Sequence, residues 1–112
     1  MLEVIFSRCG RDYDAEFRGH AGKAENGDDV CAMASTLFYT VERALSENGI
    51  RVDFCDQPDE RCGISHPFLY IHEQGVIKDM TAEIILSVLE SGLRMLSESY
   101  PENITVRWEG IL

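Results

Sequence analysis

Residues 28–49 read DDVCAMASTLFYTVERALSENG, and this stretch decides the architecture. Val30, Ala34, Leu37, Phe38, Val41, Ala44 and Leu45 recur at intervals of three and four, which lines them up on one face of an α-helix. Glu42, Arg43 and Glu47 fall off that stripe. Asp28 or Asp29 opens the helix, because a carboxylate accepts hydrogen bonds from the free N–H groups of a first turn and suits the positive end of the helix dipole. Asn48-Gly49 closes it, since glycine is common just past a helix C-terminus. A helix with one apolar face needs a second layer to cover it.

The flanking sequence supplies that layer. Leu2 to Ser7 is apolar and extended, and Tyr13 to Arg18 alternates Tyr13, Ala15 and Phe17 against Asp14, Glu16 and Arg18. Gly10 sits where a hairpin turn would join them. Ile50 to Cys55, Phe68 to His72 and Ile104 to Trp108 read as further strands. A second helix is predicted from Thr81, as N-cap, to Ser99, with Ala82, Ile85, Leu86, Leu89, Leu93 and Leu96 turned inward and Pro101 preventing continuation. The order ββαββαβ predicts one α+β domain over residues 1–112, in which two helices cover one face of a five-stranded mixed sheet. The other sheet face is expected to be partly exposed, with aromatic residues there favouring a dimer.

Ten Lys+Arg against twenty Asp+Glu give a formal charge of -10. That surplus argues against direct nucleic-acid binding, which needs a cationic face, and leaves room for a basic protein or peptide as partner. Glu3 interrupts the first apolar run, and no stretch approaches the ~18 apolar residues of a membrane span. The expectation is a cytoplasmic protein whose four cysteines, Cys9, Cys31, Cys55 and Cys62, are free thiols. No CxxC pair occurs, and Cys62 with His66 makes only half a metal site, so neither a metal nor an organic cofactor is expected. The acidic cluster Asp53, Asp56, Asp59 and Glu60 reads as a solvated face, with attraction of a basic protein as the sharper alternative.

Chemistry concentrates at the front of the first helix. Cys31 lies in its first turn and His20 at the far end of the glycine-bearing loop that precedes it. Unpaired first-turn N–H groups favour thiolate over thiol and can hold the oxyanion of a tetrahedral intermediate. A neighbouring imidazole can serve as base and then as acid. Asp28 and Asp29 oppose thiol ionisation unless one caps the helix and the other orients His20. Read alone, a cysteine in a helical first turn is more often a small buried apolar residue.

In combination the residues resemble a known family. Gly19-His20-Ala21-Gly22 followed by Gly27-Asp28-Asp29-Val30-Cys31-Ala32-Met33-Ala34-Ser35 is similar to the ribosomal-processing cysteine proteases, the Prp family. Tyr100-Pro101-Glu102 before the last strand also looks like the family. The resemblance implies a cysteine endopeptidase that removes the N-terminal extension of a large-subunit ribosomal protein, cutting after an aromatic-rich apolar stretch. It implies Cys31 as nucleophile and His20 as general base and acid. It makes Asp28, Ser35, Gly19 and Gly22 supporting residues, with a mobile loop at 22–27, no cofactor, and a homodimer. This chain departs from the family pattern in a slightly shorter His-to-Cys loop, in Asp29 and in Met33. The competing readings are a non-catalytic module that binds a ribosomal protein during assembly, and a redox or metal-responsive protein using Cys31, Cys62 and His66.

Overall fold

The N-terminal alternation folds as an antiparallel hairpin of β1 (Leu2–Cys9) and β2 (Asp12–Gly19), with Leu2 opposite Gly19 and Cys9 opposite Asp12. Then follow α1 (Val30–Glu47), β3 (Asp53–Cys55), β4 (Phe68–Ile71), α2 (Val76–Ser99) and β5 (Ile104–Ile111). The structure is a computed structural model that describes residues 1–57, 61 and 66–111. Its sheet order is β3-β4-β2-β1-β5, with β1·β5 parallel and the other pairs antiparallel. This is the expected α+β arrangement of two helices and a mixed, open, five-stranded sheet.

Strand directions explain why both helices share one face. β2 and β3 run the same way, as do β4 and β5, so α1 and α2 are both crossovers between parallel strands. The first crossover moves toward one sheet edge on a descending strand, and the second toward the other edge on an ascending one. Right-handed crossovers of opposite strand sense and opposite travel fall on the same side.

Between them the helices and the inner sheet face enclose the core. Leu2, Val4 and Phe6 of β1, Tyr13, Ala15 and Phe17 of β2, Leu69 and Ile71 of β4, and Ile104 of β5 are buried there. Val30, Ala34, Phe38, Val41 and Leu45 of α1 cover them, with Ala82, Leu86, Leu89 and Leu93 of α2. Each fully buried leucine contributes roughly 1.5–3 kcal/mol. The two helices approach closely at Gly92, where an added Cβ would stand 3.0 Å from the Leu37 side chain.

Two expectations about element boundaries are corrected. β3 begins at Asp53 rather than Ile50, because the Gln74 side chain takes the place of a strand partner: Arg51 N donates to Gln74 Oε1 at 2.7 Å, and Gln74 Nε2 donates to Arg51 O at 2.6 Å. α2 begins at Val76, not after a Thr81 cap. Gly75 is the N-cap residue, Asp79 Oδ1 accepts from Gln74 N at 2.8 Å, and Thr81 donates its hydroxyl to Ile77 O within the helix. The outer sheet face carries charge beside aromatic residues, for Phe68 and Tyr70 of β4 are half-buried there opposite Glu16 and Asp14. Arg107 pairs with Glu3 at 2.9 Å and Arg18 with Glu16 at 2.7 Å, while Ile5 is buried between its register partners Glu16 and Arg107. Most of the large exposed apolar residues lie on α2, where Ile77, Met80, Ile84, Val88 and Met95 form a second stripe. Trp108 packs inward, stacked on Phe6 at 5.5 Å.

Candidate active site

β2 ends at Gly19, where φ is +86° and the Met1 carbonyl lies so close that a side chain would collide with it. Gly22 has φ +67°, a left-handed conformation that other residues seldom adopt. These two positions turn the chain back over the front of α1. The loop is braced by Ala24 N donating to Asp28 O at 2.8 Å, Gly27 N donating to Ala24 O at 2.9 Å, and a bridge between Lys23 and Asp29.

Asp29 caps α1, with Oδ1 accepting from Ala32 N at 3.0 Å. Cys31 follows in the first turn, half-buried. His20 and Cys31 line the same cavity of about 240 Å³. The loop folds back far enough for both residues to reach that cavity. The His20 ring is exposed and makes no hydrogen bond or ion pair with the other described residues. The apolar part of the cavity comes from Leu2, Phe17, Phe38 and Pro67. The ring of Phe38 is fixed between Phe17 at 4.3 Å and Phe54 at 4.7 Å.

Ser35 and Gly19 also line the cavity, whereas Asp28 and Gly22 do not. Asp28 does not serve His20. Its Oδ2 accepts from the Tyr100 hydroxyl at 2.7 Å and from Asn26 Nδ2 at 2.9 Å. Those two bonds, the Tyr100 one foremost, hold its carboxyl below the usual carboxylate range. The same contact pushes the Tyr100 phenol up.

Every first-turn amide of α1 has a partner. Val30 N donates to Asp28 O at 3.1 Å, Cys31 N to Gly22 O at 3.2 Å, and Met33 N to Asp29 O at 3.2 Å, beside the Ala32 bond to the cap. The expected oxyanion donors are thus engaged by the loop itself.

Sequence reasoning missed Tyr39 and Asp56 at this cavity. Tyr39 donates its hydroxyl to Asp56 Oδ2 at 3.0 Å, and both line the wall with Gln57. Part of the signal was present: Cys31, Ser35 and Tyr39 are spaced by four and share one helix face. Of the weaker candidates, His72 is exposed and 2.9 Å from Asp53, and His66 Nε2 lies 3.3 Å from Glu16 Oε2. Cys9 is exposed, and Cys55 donates its thiol to Gln57 O. Cys62, Pro58, Asp59, Glu60 and Gly63 lie outside the described residues. Among the described residues no group of three His, Cys, Asp or Glu could hold a metal ion. No helix among them is long and apolar enough to cross a membrane.

A thiol and an imidazole at one partly apolar cleft can carry out nucleophilic attack on a bound carbonyl. The chain is similar to an essential ribosomal processing protease Prp from S. aureus, solved in complex with a covalently linked product peptide. The two share 26% identity at a TM-score of 0.74, covering 97% of this chain and 100% of that one. SMU.848 from Streptococcus mutans gives 27% identity and a TM-score of 0.73, covering 98% and 95%. A second S. aureus Prp structure, with a substrate peptide, shares the fold at 23% identity and a TM-score of 0.71, covering 97% and 100%. Comparison with curated proteins gives no match. The family model described as cysteine protease Prp matches residues 1–105, strand pair, loop and both helices included. On that match the chain belongs to the Prp family of cysteine proteases.

Proposed function

We propose that this chain is a cysteine endopeptidase that removes the N-terminal extension of a large-subunit ribosomal protein, with Cys31 as nucleophile and His20 as general base and acid. The observation that carries this reading is that His20 and Cys31 line one cavity at the N-terminus of α1. In the proposed sequence His20 takes the Cys31 proton, and Sγ bonds to the scissile carbonyl carbon as its oxygen becomes an oxyanion. The Cys31 N–H stabilises that oxygen once the Gly22 carbonyl it now bonds has moved aside. When the intermediate collapses, the C–N bond breaks and His20 returns the proton to the leaving amine. Water, activated by His20, then hydrolyses the thioester and frees Cys31. No metal enters these steps.

Leu2, Phe17, Phe38 and Pro67 would receive an apolar or aromatic side chain of the peptide. The charge of -10 favours encounter with a basic ribosomal protein. Gly19 and Gly22 shape the loop, and Ser35 stands one turn after Cys31 on the cavity wall. The proposal extends to residues 1–112 acting as one unit in the cytoplasm, and to a homodimer. The stripe of Ile77, Met80, Ile84, Val88 and Met95 supports the dimer, because a contiguous exposed apolar face marks an interaction surface.

The test is incubation with a ribosomal-protein peptide that carries the extension. Wild type is expected to cut it at one bond and Cys31→Ala to bind without cutting. Equal cutting by Cys31→Ala would remove the assignment. Binding without cutting by wild type would favour the assembly-module reading.

A further inference from the structure

The β2–α1 loop is held from a distant part of the chain. Tyr100, just past α2, donates its hydroxyl to Asp28 Oδ2 at 2.7 Å. Asn103, just before β5, donates its side-chain amide to the carbonyls of Ala21 at 2.9 Å and Lys23 at 3.2 Å. Those two carbonyls flank Gly22, whose own carbonyl accepts the Cys31 N–H. The holding side is itself anchored. Tyr100 N donates to Leu96 O, Asn103 N to Tyr100 O, and Leu2 N to Asn103 O, which ties the corner to β1.

This matters to a reaction at Cys31. When Sγ bonds to a carbonyl carbon, negative charge appears on the oxygen beside the Cys31 amide. One N–H cannot serve the Gly22 carbonyl and that oxygen in good geometry together. The Gly22 carbonyl therefore has to leave first. Gly22 is suited to move: a glycine peptide turns at little steric cost, and nothing lies within 4 Å of where its Cβ would be. A groove of about 380 Å³ between Ala24–Asn26 and Ser99–Asn103 separates the loop tip from the corner.

We propose that Tyr100 and Asn103 are positioning residues that clasp the loop in a resting form, with the Gly22 carbonyl on the Cys31 N–H, and that substrate must displace this carbonyl for the amide to become an oxyanion donor. The catalytic half rests on the proposed function; the clasp does not. A resting form that must be left lowers apparent affinity in proportion to its population.

The test compares wild type with Tyr100→Phe and Asn103→Ala. Amide exchange is followed by NMR at Cys31, with Leu93 in the interior of α2 as internal reference. Exchange at Cys31 is expected to rise several-fold in both variants while Leu93 is unchanged. On the extended ribosomal peptide, KM is expected to fall several-fold with kcat unchanged. Tyr100→Phe loses only a hydroxyl, so it keeps the test open if Asn103→Ala fails to fold. Unchanged exchange at Cys31 overturns the clasp, and a fall in kcat at constant KM overturns its resting role. If wild type cuts no peptide although Cys31 exchange responds, the peptidase reading fails while the clasp stands.

Discussion

The two faces of one sheet do different work. On β2, Tyr13, Ala15 and Phe17 turn toward the helices and are buried, while Asp14, Glu16 and Arg18 turn outward. The inner side supplies the core and, through Leu2 and Phe17, the wall of the cavity at Cys31. The outer side supplies charge, with carboxylates near enough to disturb one another. Burial first, and then the neighbouring Glu16, push the Asp14 carboxyl up to about 6 from its ordinary 3.8. Alternation along a strand thus places candidate chemistry and electrostatic surface back to back, separated by one thickness of backbone.

The sharpest way to break this contrast is to disable each side in turn. Cys31→Ala is expected to leave no cleavage above background, and His20→Ala to lower kcat about 10²- to 10⁴-fold. His72→Ala, whose ring faces Asp53, should leave peptide turnover within about twofold. Loss of turnover on changing His72 would show that the cavity is not the only functional surface.

Stability gives the next contrast. Leu69 is fully buried on β4, so Leu69→Ala should cost about 2–5 kcal/mol in urea unfolding, through lost burial and the cavity left behind. Thr105→Ala, on the exposed side of β5, should stay within about 0.5 kcal/mol. Similar costs at the two positions would contradict the assignment of inner and outer faces.

The smallest effect sharpens the electrostatic half. Because the folded Asp14 carboxyl titrates near 6 and the unfolded one near 3.8, its contribution is fully present below the lower value. That stability is lost as pH rises through 6. Asp14→Asn should therefore stabilise the protein by about 1 kcal/mol at pH 8, after allowance for solvent screening, with the difference vanishing near pH 4. Urea midpoints at the two pH values measure it, and equal differences at both would remove the outer-face coupling.

Local pattern carried much of this molecule. The hairpin, α1 with its Asp29 cap, the inward stripes of both helices and the placing of His20 and Cys31 on one cavity all follow from short-range spacing and the loop motif. What escaped is non-local. β3 is shortened by Gln74, which lies past the following strand. The first turn of α2 carries no inward apolar residue, because Val76, Ile77 and Met80 are exposed, so periodicity could not find it. The partner of Asp28 is Tyr100 rather than His20, and no pattern within the loop discloses a residue at the far end of α2. Family resemblance located Asp28 but not its partner.

The parallel pairing of β1 with β5 has a consequence for how the chain acquires its shape. Leu2 faces Ile104, so β1 has its second edge satisfied only when β5, far along the chain, folds back beside it. A nascent chain that still lacks β5 presents a bare row of amide and carbonyl groups beside the hairpin, open to a stray strand from another molecule. Closure of so long a loop is slow relative to local events. Docking of β5 against β1 is therefore expected to come late in folding, with that strand acting as the seal.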